Sequence, residues 1–292
     1  MTADHPKVTV YLPTRNRASL LRDAIDSVLV QTEADFELIV VDDASTDETM
    51  SICEHFAKAD ARVRIARLPV SRGAPAARNL AIGMARGEFI TGLDDDDLVL
   101  PGRLASLLSA FDHGVAFVCS SFWLEKNRYG KRRRTLLNSR ARTITCDDLL
   151  YQNCVGNQLL TRTRQLQEIG GFDESLVASQ DYDLWTRLAA RFGPGRRIAD
   201  PTYVMRSGMT AESISSSNNF GLGARQYTSK HESRMNSAQR RSQRLLHRIT
   251  ARESLRVHDV AECFAWPTLG LMIRYALSRH RLIVRLRELL RT

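Results

Sequence analysis

The sequence predicts an α/β fold, a sheet with parallel leading strands flanked by helices, and three observations carry that expectation. Short β-branched or alternating apolar runs recur: V-T-V-Y-L at 8–12, E-L-I-V-V at 37–41, R-V-R-I-A-R-L at 62–68 and E-F-I-T-G-L at 88–93. They have the length and composition of strands. Between them lie segments with apolar residues at helical spacing. The connections are short, which suits right-handed strand–helix–strand crossovers.

The elements follow in order. Residues 18–30 place Leu20, Leu21, Ala24, Ile25, Val28 and Leu29 on one helical face, residues 47–59 do so with Met50, Cys53 and Phe56, and 74–86 is alanine-rich. After Pro101, which suits the first turn of a helix, a strand is expected over 115–123. Residues 125–142 hold eight Lys and Arg around a Tyr-Gly turn signal and read as a hairpin or mobile loop. A short helix near 146–151, a strand near 156–161, a Gly-Gly-Phe-Asp turn at 170–173 and a helix over about 182–191 complete the first domain. Serines, asparagines and glycines crowd 206–223, so the domain is expected to span 1–206, with 207–224 as linker and 225–292 as a basic helical segment.

Charge supports that division. The 292 residues carry a net charge of +9, yet 225–292 alone hold 15 Lys and Arg against 5 Asp and Glu. The first 224 residues are nearly neutral, so the basicity belongs to the C-terminal segment. It points to an anionic surface, nucleic acid or phospholipid headgroups, or to a solvated helical face. Leucines between the arginines, and the Pro267-interrupted run at 263–273, suit either an interfacial helix or packing on the first domain. No segment reaches the 18 or so apolar residues of a spanning helix, and no secretory leader pattern opens the chain. The protein is therefore expected in the cytoplasm, or on a membrane surface that it does not cross. Five scattered cysteines (Cys53, Cys119, Cys146, Cys154, Cys263) form neither a zinc-type pair nor a disulfide framework.

In open α/β sheets ligands bind where loops leave the C-terminal strand ends. Three polar loops fall there: Pro13-Thr14-Arg15-Asn16-Arg17, Asp42-Asp43-Ala44-Ser45-Thr46-Asp47, and the tetrad Asp94-Asp95-Asp96-Asp97. Helix capping by Ser45, Thr46 or Asp47 accounts for one polar residue per loop. It does not account for two to four carboxylates, which need a cation or a hydrogen-bonding ligand to be tolerable.

These loops, with R-G-A-P-A-A-R-N before a helix, G-E-F-I-T-G-L-D-D-D-D-L-V-L-P-G-R-L, and G-G-F-D-E-S-L-V-A-S-Q-D-Y-D-L-W-T-R-L, resemble in order and spacing the inverting family 2 glycosyltransferases of the GT-A fold, over roughly residues 6–206. The resemblance implies a Rossmann-like mixed sheet and transfer of a sugar from a nucleoside-diphosphate donor, UDP favoured and dTDP second. The acceptor implied is a hydroxyl on a glycan or lipid-linked glycan of a bacterial surface polysaccharide. It implies that Pro13 and Arg15 line the nucleotide pocket, that Asp43 accepts from the base, and that Arg72 and Arg78 bind donor. Asp94 and Asp96 are the formal aspartates of the D-x-D signature for Mn²⁺ or Mg²⁺, with Asp95 near the ribose and Asp96 on the metal. Asp94 and Asp97 are also expected to shape the loop and cap a helix. Asp181 falls at the catalytic base, and Asp183 is expected to pair with Arg187 four residues on. Two departures stand out. Gln180 replaces the usual Glu before the base, and Tyr203 to Gly208 lacks the histidine of an Arg-x-His pattern, which bears on a third metal ligand and on strict metal dependence. Nucleotidyl transfer, and a non-catalytic basic protein on such a fold, are the rival readings.

Overall fold

The computed structural model describes residues 5–126, 130–134, 140–208 and 219–250. Cys263, the expected helices beyond 250, the Tyr-Gly turn at its tyrosine and most of the serine-rich stretch lie outside the described residues.

Among the described residues ten strands form one sheet: β1 (Val8–Thr14), β2 (Phe36–Asp42), β3 (Val63–Arg67), β4 (Phe89–Gly92), β5 (Leu98–Val99), β6 (Phe117–Lys126), β7 (Arg132–Arg134), β8 (Arg142–Ile144), β9 (Leu160–Arg162) and β10 (Gly195–Ser207). Their order is β3-β2-β1-β4-β9-β6-β10-β5, with β7 on β6 and β8 on β10. The helices are α1 (Ala18–Leu29), α2 (Thr49–Ala59), α3 (Ala74–Met84), α4 (Arg103–Ser109), α5 (Cys146–Tyr151), α6 (Thr163–Glu168), α7 (Gln180–Phe192), α8 (Asn219–His231) and α9 (Ser237–Thr250).

The first half is the expected parallel β/α array, with β1 pairing in parallel with β2 and β4, and β2 with β3. All seven residues of β1 and of β2 are buried, as strands covered on both faces must be. Val8, Val10, Leu12, Leu38 and Val40 pack against Leu21, Ile25 and Val28 of α1 and Ile52 and Phe56 of α2. In the second half β9 runs antiparallel between β4 and β6, and β10 runs parallel to β6 but antiparallel to β5. The 125–142 segment includes the expected hairpin, since β7 pairs antiparallel with Trp123, Leu124 and Glu125.

β10 had little strand signature, because G-R-R-I-A-D-P-T-Y-V-M-R-S interleaves charges with apolar positions. Its arginines are used internally: Arg197, 3% exposed, donates to the carbonyls of Cys154 and Arg140. Pro201 sits at a register shift, where a missing N–H is tolerated. The four described cysteines are free, and Cys53, Cys119 and Cys154 are buried. Burial pushes the Cys53 and Cys119 thiols up to about 12, which makes them inert at neutral pH.

The chain divides into two compact units, one of residues 1–146, 154–175 and 180–213, the other of 147–153, 176–179 and 214–292. This corrects the linear boundary expected from composition. Residues 219–224, expected as linker, are helical and belong to α8. The cause is packing within the second unit. Gly223 lies so close to Ala178 that a Cβ would collide with it. The otherwise orphaned carbonyls at the end of α5 are satisfied from α8 and α9: Tyr227 donates to Leu149, Gln243 to Leu150, Ser242 to Tyr151 and Gln239 to Asp147. Two glycines in six residues hide a helix from propensity but permit this approach.

Candidate active site

The tetrad follows β4 on a segment tied down from both sides. Toward α1, Gln31 Nε2 donates to the Leu100 carbonyl at 2.7 Å, Thr32 N to Pro101 O, and Val99 N to Ser27 Oγ. Toward β10, Leu100 N donates to Thr202 O. The four carboxylates consequently meet four different environments.

Asp97 is 3% exposed and accepts from the Tyr203 hydroxyl and the Arg206 backbone N–H, each at 2.7 Å. Burial, then the Asp96 and Asp94 charges, push its carboxyl well above the usual carboxylate range. The expected helix cap is not its role: no side chain caps α4, whose N-cap is Gly102. Arg206 is itself locked, with Nη1 3.0 Å from Asp23 of α1 and Nε 3.7 Å from buried Glu125 of β6, which also meets Arg132 of β7.

Asp94, expected with Asp96 to hold a metal, is paired with the chain's own cation. Arg78 Nη2 donates to Asp94 Oδ1 at 2.8 Å, and Gln158 and Asn157 donate at 3.3 and 3.4 Å. In this structure Asp94 anchors Arg78, whose positive charge opposes a divalent ion on the same carboxylate. Gln158 is fixed in turn by the Tyr11 hydroxyl at 2.9 Å. This is why Gly92 is glycine: a Cβ there would collide with the Tyr11 ring and with Gln158 Oε1. Gly92→Ala should lower the melting temperature by several degrees, since overpacking costs about 1–3 kcal/mol and each kcal/mol is about 2–4 °C in a chain this long. Thermal melts check it, and an unchanged melting temperature counts against the packing argument.

Asp95 and Asp96 are the two of the four without such partners among the described residues. Burial and the neighbouring Asp96 charge push Asp95 up to about 7; burial and the Asp94 charge raise Asp96. Arg17, passed over in the sequence, supplies the main charge pulling both the other way, whereas Arg15 is exposed. No side chain among the described residues forms an ion pair with Asp96 within 4 Å. Two crowded, under-neutralised carboxylates suit a hard divalent cation. Among the described residues no group of three or more His, Cys, Asp or Glu could hold one. A cation here would complete its shell with ligand oxygens and water.

Asp181 lies in the first turn of α7. Burial pushes its carboxyl up to about 6, with Asp94 adding and the Tyr182 N–H and Arg78 opposing. Arg78 thus acts electrostatically on both the tetrad and the head of α7. Its guanidinium lies over the Phe172 ring at 5.2 Å, and Phe172 meets Tyr11 and Trp185 edge-on. The turn before α7 is stitched on by Arg187, which pairs with Asp183 at 2.8 Å as expected and donates to the carbonyls of Ile169 and Gly171. Asn79, one residue past Arg78 and unremarked in the sequence, bonds Phe172 N and O.

The remaining expected residues line the same strand ends. Pro13 is buried in β1 opposite Val41. Asp43 holds the 71–73 loop, accepting from Ser71 Oγ, Arg72 N and Gly73 N at 2.7–2.9 Å. Gly73 has φ +87°, a conformation only glycine adopts without strain. The Arg72 side chain points outward to Glu174 at 2.7 Å, away from Asp43.

Fold and site together define a nucleotide-binding α/β transferase of the GT-A type. The sequence profile of Glycosyl transferase family 2 matches residues 9–167, and the chain belongs to that family. A protein of Escherichia coli (strain K12) named for colanic acid biosynthesis, the glycosyl transferase WcaA, is 31% identical over 258 residues, 82% of this chain and 86% of its own length. The GalNAc(5)-diNAcBac-PP-undecaprenol beta-1,3-glucosyltransferase of Campylobacter jejuni is 38% identical over 122 residues, 41% of this chain and 40% of that protein. Among solved structures, S. aureus TarS 1–349 in complex with UDP-GlcNAc superposes with a TM-score of 0.66 at 20% identity, covering 93% of this chain and 80% of that one. The mannosyltransferase PcManGT from Pyrobaculum calidifontis, in complex with GDP-Man and Mn²⁺, gives 0.61 at 20% identity, with 97% and 83% covered. The protein is a glycosyltransferase.

Proposed function

We propose that this glycosyltransferase inverts configuration at the anomeric carbon, moving a sugar from a nucleoside-diphosphate donor to a hydroxyl of a lipid-linked glycan in surface polysaccharide synthesis, at the surface of a membrane. The observation that carries the reading is the division of carboxylates: Asp95 and Asp96 have no ion-pair partner within 4 Å among the described residues, with Arg17 acting on them only through its charge, and Asp181 stands at the head of α7. The acceptor class follows the names of WcaA and the undecaprenol-linked glucosyltransferase.

Asp96 would hold Mn²⁺ or Mg²⁺ together with the donor diphosphate, and Asp95 would meet the ribose. When bound, the ion supplies positive charge against the departing diphosphate. Pro13 and Arg15 flank the nucleotide, Arg78 adds positive charge along the donor, and Arg72 holds Asp43 in place through its backbone N–H. Asp43, already accepting from the 71–73 loop, has acceptor capacity left for an imide N–H. An acceptor-only carboxylate suits uracil or thymine and repels the unprotonated N3 of cytosine, which favours UDP and then dTDP. Asp181 accepts the proton of the acceptor hydroxyl as its oxygen bonds to the anomeric carbon. The bond from that carbon to the diphosphate oxygen breaks, and its electron pair leaves with the nucleoside diphosphate.

A thermal-shift panel of nucleotide sugars with and without Mn²⁺ tests the reading. A true donor at roughly a hundredfold excess over its Kd stabilises the fold by about 2.7 kcal/mol. Nucleoside diphosphate should be the product of turnover. Released pyrophosphate would mean nucleotidyl transfer, and the absence of any shift would remove the donor assignment.

A further inference from the structure

We propose that the outward face of the α8–α9 hairpin is a docking surface for an anionic phospholipid bilayer. The helices pack antiparallel: Thr228 meets both Gln243 and His247, the His247 ring reaches the Ala224 carbonyl, and Gly221 lies opposite Thr250. In α9 the buried residues are Gln239, Ser242, Gln243 and Leu245. At about 100° per residue, Arg240, Arg241, Arg244 and Arg248 fall within an arc of about 100° on the opposite side. Arg240 and Arg244 are exposed.

In α8 the buried side carries Gly223, Tyr227 and His231, while Ala224 and Thr228 face α9. Leu222 and Arg225 therefore look out on the same side as the α9 arginines, and the antiparallel alignment sets them beside Arg244 and Arg248. Both are exposed, Leu222 by 51%. Residues 219–250 hold seven Lys and Arg and one acidic residue, Glu232 of the connecting turn, whose backbone carbonyl accepts from Arg240 Nη2 at 3.3 Å.

Arginines around an exposed leucine are the composition of a surface that meets headgroups with charge and the acyl boundary with an apolar side chain. A nucleic-acid face would place aromatic rings among the arginines to stack on bases; Tyr227 of α8 is buried, and the exposed Phe220 falls by helical spacing on the Tyr227 side of the helix, not among the arginines. No helix among the described residues is long and apolar enough to cross a bilayer, so contact here would be peripheral. The proposal extends the reading of a lipid-linked acceptor by giving the enzyme a reason to sit where that acceptor is. It is tested with no donor present, so that it stands or falls apart from sugar transfer.

The full-length protein should co-sediment with phosphatidylcholine vesicles containing phosphatidylglycerol and not with phosphatidylcholine alone, and binding should weaken at high salt as charges are screened. Each arginine near an anionic surface contributes about fivefold in partitioning. The double variant Arg240→Glu/Arg244→Glu should therefore lose binding by well over about 25-fold, whereas Arg240→Lys/Arg244→Lys should retain it. Leu222→Ser should weaken binding without altering its salt dependence. Melts of each variant confirm folding. Equal binding to neutral vesicles, undiminished binding by the charge-reversed protein, or binding to duplex DNA with none to vesicles overturns the proposal.

Discussion

Asp181→Asn should lower the rate of sugar transfer by about 10²–10⁴-fold, the usual contribution of a positioned general base, and leave the KM for donor nearly unchanged. Asp181 sits at the head of α7, across Arg78 from the tetrad, and is not among the groups proposed to hold donor. The same substitution should not cost stability. Burial already disfavours the Asp181 carboxylate, as its rise to about 6 shows, so a neutral isostere removes a strained charge. A fall in kcat with an unchanged or higher melting temperature is the expected pattern. Kinetics alongside melts decide it: unchanged kcat, or loss of activity only through loss of fold, would sink the assignment.

The sign of the pH dependence follows from the same carboxyls. As a base Asp181 works only when deprotonated, so transfer should rise with pH through about 6 and that rise should vanish in Asp181→Asn. Stability runs the other way. A carboxyl whose folded pKa lies above its unfolded value binds more protons in the native state, so its stabilisation is present below about 4 and is lost as pH rises through the folded value. With Asp181 at about 6 and Asp95 at about 7, the metal-free protein should lose stability on the order of several kcal/mol between about pH 4 and 7. Mn²⁺ should restore it at the upper end of that window by replacing the protons.

Much of this was legible in the residues, and the limits have physical causes. The parallel half of the sheet was readable because β1, β2 and β4 are buried on both faces and must be apolar throughout. β10 was not, since its strand is held by Arg197 and Arg206 acting on distant carbonyls and carboxylates, interactions that leave no local pattern. The motif residues Asp43, Arg78, Asp95, Asp96 and Asp181 do converge on one set of strand ends. Their division of labour depends on partners from far along the chain: Gln158 and Asn157 for Asp94, Tyr203 and Arg206 for Asp97, Asn79 for the Phe172 turn. Polar residues of that kind are indistinguishable in sequence from solvated ones. Arg103 shows the point most sharply. It is 1% exposed and bonded to Ser120 and Thr202, with its guanidinium over the Tyr203 ring and no carboxylate in ion-pair range among the described residues, and burial drops it to about 10.

Asp96 and Asp97 should respond oppositely to one substitution. Asp96→Asn removes the carboxylate that faces the cleft and halves the charge there, so stabilisation by Mn²⁺ should disappear and transfer should fall at least as far as in Asp181→Asn. A divalent ion with a single strong protein ligand has nothing to replace it. Asp97→Asn should be tolerated. Burial and the adjacent charges disfavour its charged form, and an uncharged amide reproduces its shape. The Asn oxygen can accept from Arg206 N while the amide nitrogen donates to the Tyr203 hydroxyl, which reverses one bond without losing it. Asp97→Ala is the informative contrast, because it leaves two buried donors unpaired at roughly 1–3 kcal/mol each, so stability falls and activity follows it. The three variants separate charge from shape at adjacent positions. Measured by Mn²⁺-dependent melting and turnover, equal losses in Asp96→Asn and Asp97→Asn would show that the tetrad acts as a common pool of charge and not as four separate environments.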